Sequence, residues 1–299
     1  MKGKSTANAL ARTVNRTGWS LVVPASVILV LFNLYPVFSA LWTSFLTGKG
    51  NRMTFAGGSN YVKMLHDTTL HKAFFNTTLY LIIQVPVMLI LGLILASILQ
   101  DKDLKFKGFF RTALFLPCIT SSVAYALVMK TIFADEGLFN RAMMGIGLMQ
   151  QPIHWLTDPV WAKVLIIIAI TWRWTGYNMV FYVAGLQNIE PSIYEAAELD
   201  GANAFQRMRN ITIPMLKPII LFTSITSTIG TLQLFDEVVN ITAGGPANAT
   251  LTISEYVYDL CFKFVPDFGY ATAVSIVVVL IIMALSMLQF MAGGDRSNA

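Results

Sequence analysis

The chain has 299 residues, of which 55% are hydrophobic and only 12% charged, with a mean hydropathy of +0.62. That composition is too apolar for one soluble domain and long enough for several spans, so it predicts an integral membrane protein. The formal charge of +5 is modest, and the basic residues are spread through loops, which reads as membrane topology and excludes a nucleic-acid surface.

Residues 1–18 carry Lys2, Lys4, Arg12 and Arg16 with no acid and read as a basic cytoplasmic tail. The apolar run over 19–45 is longer than a signal-peptide core and lacks a small-residue cleavage site, so it reads as a retained first span. A polar outer loop over 46–72 precedes a second span from Thr77 to Leu99, whose Pro86 and Gly92 suit kink or packing positions. The segment from Asp101 to Arg111 holds Lys102, Lys105, Lys107 and Arg111, and such a short basic connector belongs on the cytoplasmic side. A third span is expected from Thr112 to Phe133. The loop over 134–159 is poor in basic residues, and its Trp155 suits an outer segment lying along the interface. A fourth span runs from Val160 to Leu186, a fifth from Pro218 to Ile241 and a sixth from Tyr270 to Met291, with a polar tail over 292–299. Six spans place both termini on one side, and the two short basic segments near the first span favour the cytoplasm for that side, against Lys49, Arg52, Lys63 and Lys72 in the first outer loop. Cys118 and Cys261 are expected to be free thiols, since they form neither a disulfide framework nor a metal pair.

The chain carries no Gly-rich nucleotide loop with its Lys and Ser/Thr, no His/Cys/Glu cluster at metal spacing and no Ser, His and Asp set placed for hydrolysis. No catalytic residue, metal site or bound cofactor is therefore expected, and transport would have to draw on a partner's ATP hydrolysis or on an ion gradient. Polar groups at membrane depth are the places to look for a pathway. Trp172, Arg173, Trp174, Tyr177 and Asn178 lie near the middle of the fourth span. Their aromatic faces, amide and hydroxyl suit sugar rings, although packing against other helices would use them equally well. The fifth span holds Thr223, Ser224, Ser227, Thr228, Gly230, Thr231 and Gln233, a stripe that either lines a wet passage or lets helices approach closely. The pathway set is taken as Trp172, Trp174, Tyr177, Asn178, Thr228 and Gln233. Asp236 and Glu237, at the end of that span, are expected to reach interfacial water, without a buried ion pair to Arg173.

The loop over 190–218 differs from its surroundings. Ser192 and Glu195 have capping-box spacing, with Pro191 just ahead, so a first helix is expected from Ile193 to Asp200. Gly201 can end it in a left-handed conformation. Asn203 and Gln206 can cap a second helix, which Pro214 and Pro218 would stop or kink. Arg207 and Arg209 can meet carboxylates, including the loop's own Glu198. Each of these residues could serve only the local helix-turn-helix.

Taken together, Glu195-Ala196-Ala197, Asp200-Gly201-Ala202, Ile211 and Ile213-Pro214 resemble the EAA signature of bacterial ATP-binding-cassette importer permeases, with Ile213 where leucine is usual. The turn from Thr242 to Pro246, which reads TAGGP, and the stretch before the loop resemble the carbohydrate-uptake subfamily. The resemblance implies an all-α integral membrane protein of about six transmembrane helices, in the type I importer permease fold, with the permease domain over 73–291 and the EAA loop forming coupling helices. It assigns ATPase coupling to Glu195, Ala196, Ala197, Asp200, Gly201, Ala202, Ile211 and Pro214. The partners it implies are a second homologous permease, two ATPase subunits that use ATP and Mg, an extracytoplasmic solute-binding protein, a sugar substrate and the lipid of the bacterial cell membrane. The same machine could carry another solute such as glycerol phosphate, polyamine or phosphate. An ion-coupled secondary transporter would call for inverted repeats and midplane acids, which the sequence lacks, and a scaffold or signalling subunit is a further alternative.

Overall fold

The computed structural model describes residues 18–49, 52–101 and 104–293. The basic tail residues Lys2, Lys4, Arg12 and Arg16, the connector's Lys102 and the polar tail beyond Gly293 lie outside the described residues. The chain divides into two compact units, one of residues up to Leu65 together with Leu260–Val277, the other of His66–Asp259 with the residues from Val278 onward.

The first unit holds helix α1, Gly18–Thr43, 26 residues long and apolar enough to cross a membrane. A short antiparallel pair follows, β1 (Leu46–Thr47) and β2 (Thr54–Phe55), in which Leu46 faces Phe55, and then helix α2, Ser59–Met64. Asn60 organises this region from the inside. Its amide donates to the carbonyls of Ser44 at 2.9 Å and Leu46 at 2.8 Å, and so satisfies acceptors at the end of α1 and in the short strand. Lys63 reaches Asp267 at 2.8 Å and lies over the Tyr270 ring at 3.9 Å. Gly269 has to be glycine here, because an added Cβ would stand 1.9 Å from the Leu46 carbonyl oxygen.

The second unit carries the long helices. Helix α3, Thr68–Gln100, starts where the Asp67 carboxylate accepts from the backbone of Thr69 and Leu70, and it runs through Pro86 without a break. Helix α4 (Lys107–Ile119) and helix α5 (Ser122–Ile132) are bent by 104° to one another. The expected single third span is therefore broken. Thr120 and Ser121 are extended, and the Thr120 hydroxyl turns back to the Leu116 carbonyl at 2.8 Å. Helix α6, Leu138–Gly145, lies in the loop that follows, and Trp155 is buried there instead of lying along an interface. Its indole donates to Asn140 Oδ1 at 3.1 Å and its ring packs against Phe133, Phe139 and Trp161.

Helix α7, Pro159–Leu186, begins with Asp158 as its cap and Pro159 in its first turn, a combination suited to a helix start. It packs closely on its neighbours through glycine. A Cβ at Gly176 would meet the Leu114 carbonyl oxygen at 2.0 Å, and one at Gly92 would touch Asn178 and Met179 at 3.3 Å. Helix α8 spans Pro191–Leu199. Helix α9 spans Ala204–Leu232 without stopping at Pro214 or Pro218. A wide π turn at Met208–Thr212 precedes Pro214 and loosens the backbone pattern just where proline offers no N–H and its ring needs room. The fifth span ends at Leu232, short of the expected Ile241, and a separate helix α10, Asp236–Ile241, follows. The break is held by Thr252, whose hydroxyl donates to the Leu234 carbonyl at 2.8 Å. Helix α11, Ile253–Tyr258, precedes the last helix α12, Phe268–Gly293. Among the described residues five helices are long and apolar enough to cross a membrane, or six spans if the bent pair counts as one.

Candidate functional site

A cavity of about 560 Å³ opens in the middle of the second unit, walled by α3, α7, α9 and the break before α10. On α7 the lining residues are Ile170, Arg173, Trp174, Tyr177 and Asn178, a spacing that places them on one helical face. Four of the six residues expected along a pathway meet here: Trp174, Tyr177, Asn178 and Gln233. The other two do not line it. Trp172 is 46% exposed and stacks on Tyr125 at 5.6 Å, while Thr228 is buried and accepts from the Gln289 amide at 2.8 Å.

The wall is largely apolar, and the polar groups set into it are mostly satisfied. The Thr231 hydroxyl donates to Gln84 Oε1 at 3.0 Å, and the Ser227 hydroxyl to Asn178 Oδ1 at 3.4 Å. Trp174 and Tyr177 meet edge to face at 5.8 Å. These aromatic surfaces beside amides and hydroxyls can stack on the C–H faces of a polyol ring and exchange hydrogen bonds with its hydroxyls.

Arg173 and Glu237 overturn the expectation that Glu237 reaches interfacial water. They are 8% and 4% exposed, and Arg173 Nη1 donates to Glu237 Oε1 at 3.0 Å. The Trp174 indole donates to the same oxygen at 3.1 Å, and the guanidinium lies 5.2 Å from the Tyr125 ring centre and 5.4 Å from that of Trp174. Glu237 stands in the first turn of α10, just past the break after Leu232. One signal could have found the pair, because an arginine at membrane depth calls for a partner and Glu237 was an available acid.

At the far end of α7 the chain enters the exposed loop. No side-chain cap forms at the start of α8; Pro191 occupies its first turn, and Ser192 turns back to Glu190 at 3.4 Å, so the expected Ser192–Glu195 capping box is absent. The second box is present, with Asn203 accepting from the Gln206 backbone and Gln206 accepting from that of Asn203. Gly201 stands between the two helices at φ +79°, a left-handed conformation that disfavours any other L residue. Arg207 pairs with Glu198, and the Tyr194 and Thr212 hydroxyls meet at 2.9 Å. Glu195, Ala196, Asp200, Gly201 and Pro214 are exposed, and Ala197, Ala202 and Ile211 are half-buried. Two apolar side chains project beside them, Leu199 at 90% exposure and Phe205 at 72%.

Residues 71–292 match the family of binding-protein-dependent transport system inner membrane components. The chain is 52% identical over 291 residues to the lactose transport system permease protein LacF of Rhizobium radiobacter, covering 97% of this chain and 98% of that one. It is 34% identical over 277 residues to the arabinooligosaccharides transport system permease protein AraP of Halalkalibacterium halodurans, covering 92% and 86%. The crystal structure of a bacterial ABC transporter that imports alginate contains a chain with the same fold, at a TM-score of 0.82 and 20% identity over 97% of this chain and 100% of that one. The bundle of apolar helices and the family match over most of the chain together identify it as a multi-pass membrane protein that belongs to the binding-protein-dependent transport system inner membrane components.

Proposed function

We propose that the chain is one permease subunit of an ATP-driven, binding-protein-dependent importer that carries sugars or oligosaccharides across the bacterial cell membrane. The observation that carries this reading is the continuity of two helices between cavity and loop: α7 lines the cavity at Arg173–Asn178 and leads into the loop, and α9 starts in the loop and ends at the cavity at Gln233. A partner that moves the loop thus acts on the cavity wall through rigid elements. The exposed Leu199 and Phe205, flanking the left-handed Gly201, suit a groove on a partner protein.

In this reading the loop and both termini lie in the cytoplasm, and two ATPase subunits dock there and use ATP and Mg. A second homologous permease completes the pathway, and an extracytoplasmic binding protein delivers the sugar. The relatives named for lactose and arabinooligosaccharide transport support a carbohydrate substrate, as does a cavity with aromatic and amide walls. ATP binding shifts the balance between two arrangements of the helices, and hydrolysis resets it. The chain's own contribution is positional: Trp174 and Tyr177 offer faces, Gln84, Asn178 and Gln233 offer amides, and the loop transmits movement.

The test is co-purification of the tagged chain from its host in mild detergent, with every stoichiometric partner identified by mass spectrometry. Recovery of an ATPase, a second permease and a sugar-binding protein is expected. Recovery of the chain alone, even after crosslinking at the 195–214 loop, overturns the reading.

A further inference from the structure

Among the residues that line the cavity, three are charged: Arg173, Asp236 and Glu237. Two of them cancel. Glu237 is 4% exposed and receives both the Arg173 guanidinium at 3.0 Å and the Trp174 indole at 3.1 Å on one oxygen. Arg173 Nε is buried with no hydrogen-bond partner among the described residues, and Tyr125 and Trp174 cover the guanidinium with ring faces. Glu237 is therefore the counter-charge of this arginine, and the pair presents no net charge to a solute. The remaining charge is the exposed Asp236 carboxylate.

We infer that Glu237 is a specificity-determining residue which, by cancelling Arg173, makes this wall of the cavity accept uncharged saccharides and reject those carrying a carboxylate or phosphate. The inference rests on the sugar-import reading and deepens it. A neutral ring meets aromatic faces, amides and hydroxyls. At this wall an anionic sugar meets Asp236 and, among the described lining residues, no cation free to pair with it, while it loses its own hydration, and in a low-dielectric site that loss is not recovered. Without the Glu237 charge the same arginine becomes an anion-binding group, since a guanidinium pairs readily with carboxylate and phosphate. The position thus sets the sign of the selectivity without itself having to touch the solute.

The experiment uses the complete importer complex, without binding protein, in lipid nanodiscs. Equilibrium binding of tritiated lactose is competed by lactitol and by lactobionate, which share an open-chain end and differ in that one carries a carboxylate where the other has a neutral alcohol. Wild type is expected to favour lactitol over lactobionate by about tenfold or more, as a modest charge mismatch demands. Glu237→Gln keeps the shape and acceptor oxygen and is expected to move that ratio toward lactobionate by about tenfold or more. Arg173→Gln combined with Glu237→Gln removes both charges and is expected to restore the preference for lactitol. Equal competition by the two probes in wild type, an unchanged ratio in Glu237→Gln, or a lactobionate gain that persists in the double variant each overturn the inference. Should Glu237→Gln not yield a folded complex, Asp236→Asn at its exposed position decides instead: a several-fold gain for lactobionate is expected, and no gain overturns it. Failure of the co-purification test removes the sugar-import reading and this inference with it, whereas lactose binding with an unchanged ratio removes this inference alone.

Discussion

Arg173 is 8% exposed and Leu199 is 90% exposed, although the same helix-and-loop stretch carries both. In the cavity wall the polar groups are turned inward and mostly satisfied: Gln84 by Thr231, Asn178 by Ser227, Arg173 by Glu237. In the loop the order is reversed, with apolar side chains projecting and the polar groups used to fix the backbone, as in the Asn203–Gln206 box. The difference separates two tasks. A surface that binds a small solute inside a membrane must hide its charges and pair them, because each unpaired one is costly. A surface that docks on a protein can leave apolar groups in water, provided that its shape is held by local geometry.

Four substitutions would break or sharpen that contrast. Arg173→Met strikes the cavity hardest, because it leaves the Glu237 carboxylate buried without its cation; a loss of about 3–5 kcal/mol is expected, seen as a large drop in the thermal unfolding midpoint of the purified complex. A midpoint unchanged from wild type would mean that water reaches Glu237 freely. Gly176→Ala tests the packing behind the cavity. Its new methyl would meet the Leu114 carbonyl oxygen at 2.0 Å, and the forced separation of α4 and α7 is expected to cost about 1–3 kcal/mol, read as a reduced yield of monodisperse protein.

Gly201→Asp probes the loop. A side chain at φ +79° costs only about 1–2 kcal/mol, and nothing stands within 4 Å of the new Cβ, so the protein should insert and purify normally. Sugar uptake by cells carrying the whole importer is nonetheless expected to be lost, because the changed turn alters the docking surface; normal uptake would sink the coupling assignment. Glu198→Gln is the mildest. It breaks the Arg207 pair, whose carboxylate is 62% exposed, and such a pair in water is worth about 0–1 kcal/mol. Uptake and unfolding close to wild type are expected, and a large loss in either would show that the pair is part of the docking geometry.

Much of the loop was legible because its determinants are local. Gly201 ends one helix, and Asn203 with Gln206 starts the next, as the spacing of those residues predicts. The failures within it have the same scale: Ser192 and Glu195 had the right spacing, but Pro191 already supplied the helix start. Pro214 and Pro218 looked like stops, yet the wide turn at Met208–Thr212 accommodates the first, and the helix continues past both.

The cavity was legible only in part. Trp174, Tyr177, Asn178 and Gln233 were found because polar and aromatic residues in an apolar run stand out, whereas Trp172 and Thr228 had the same chemistry and ended against Tyr125 and Gln289. Helical period cannot say which side of a buried helix faces a void when several sides are covered. Trp155 was misplaced for a related reason: an indole suits an interface or a core equally, and Asn140, fifteen residues away, decided for the core.

By itself the sequence determined that the chain enters a membrane, roughly where its apolar helices run, and the turn geometry of the exposed loop, since apolar length, capping and left-handed glycine act within a few residues. Only the tertiary structure decided that the third span breaks, that the fifth stops at Leu232 and that Glu237 turns inward to Arg173. Those two residues are 64 positions apart, and no local rule reaches that far: burial makes their pairing necessary, and burial belongs to the assembled helices.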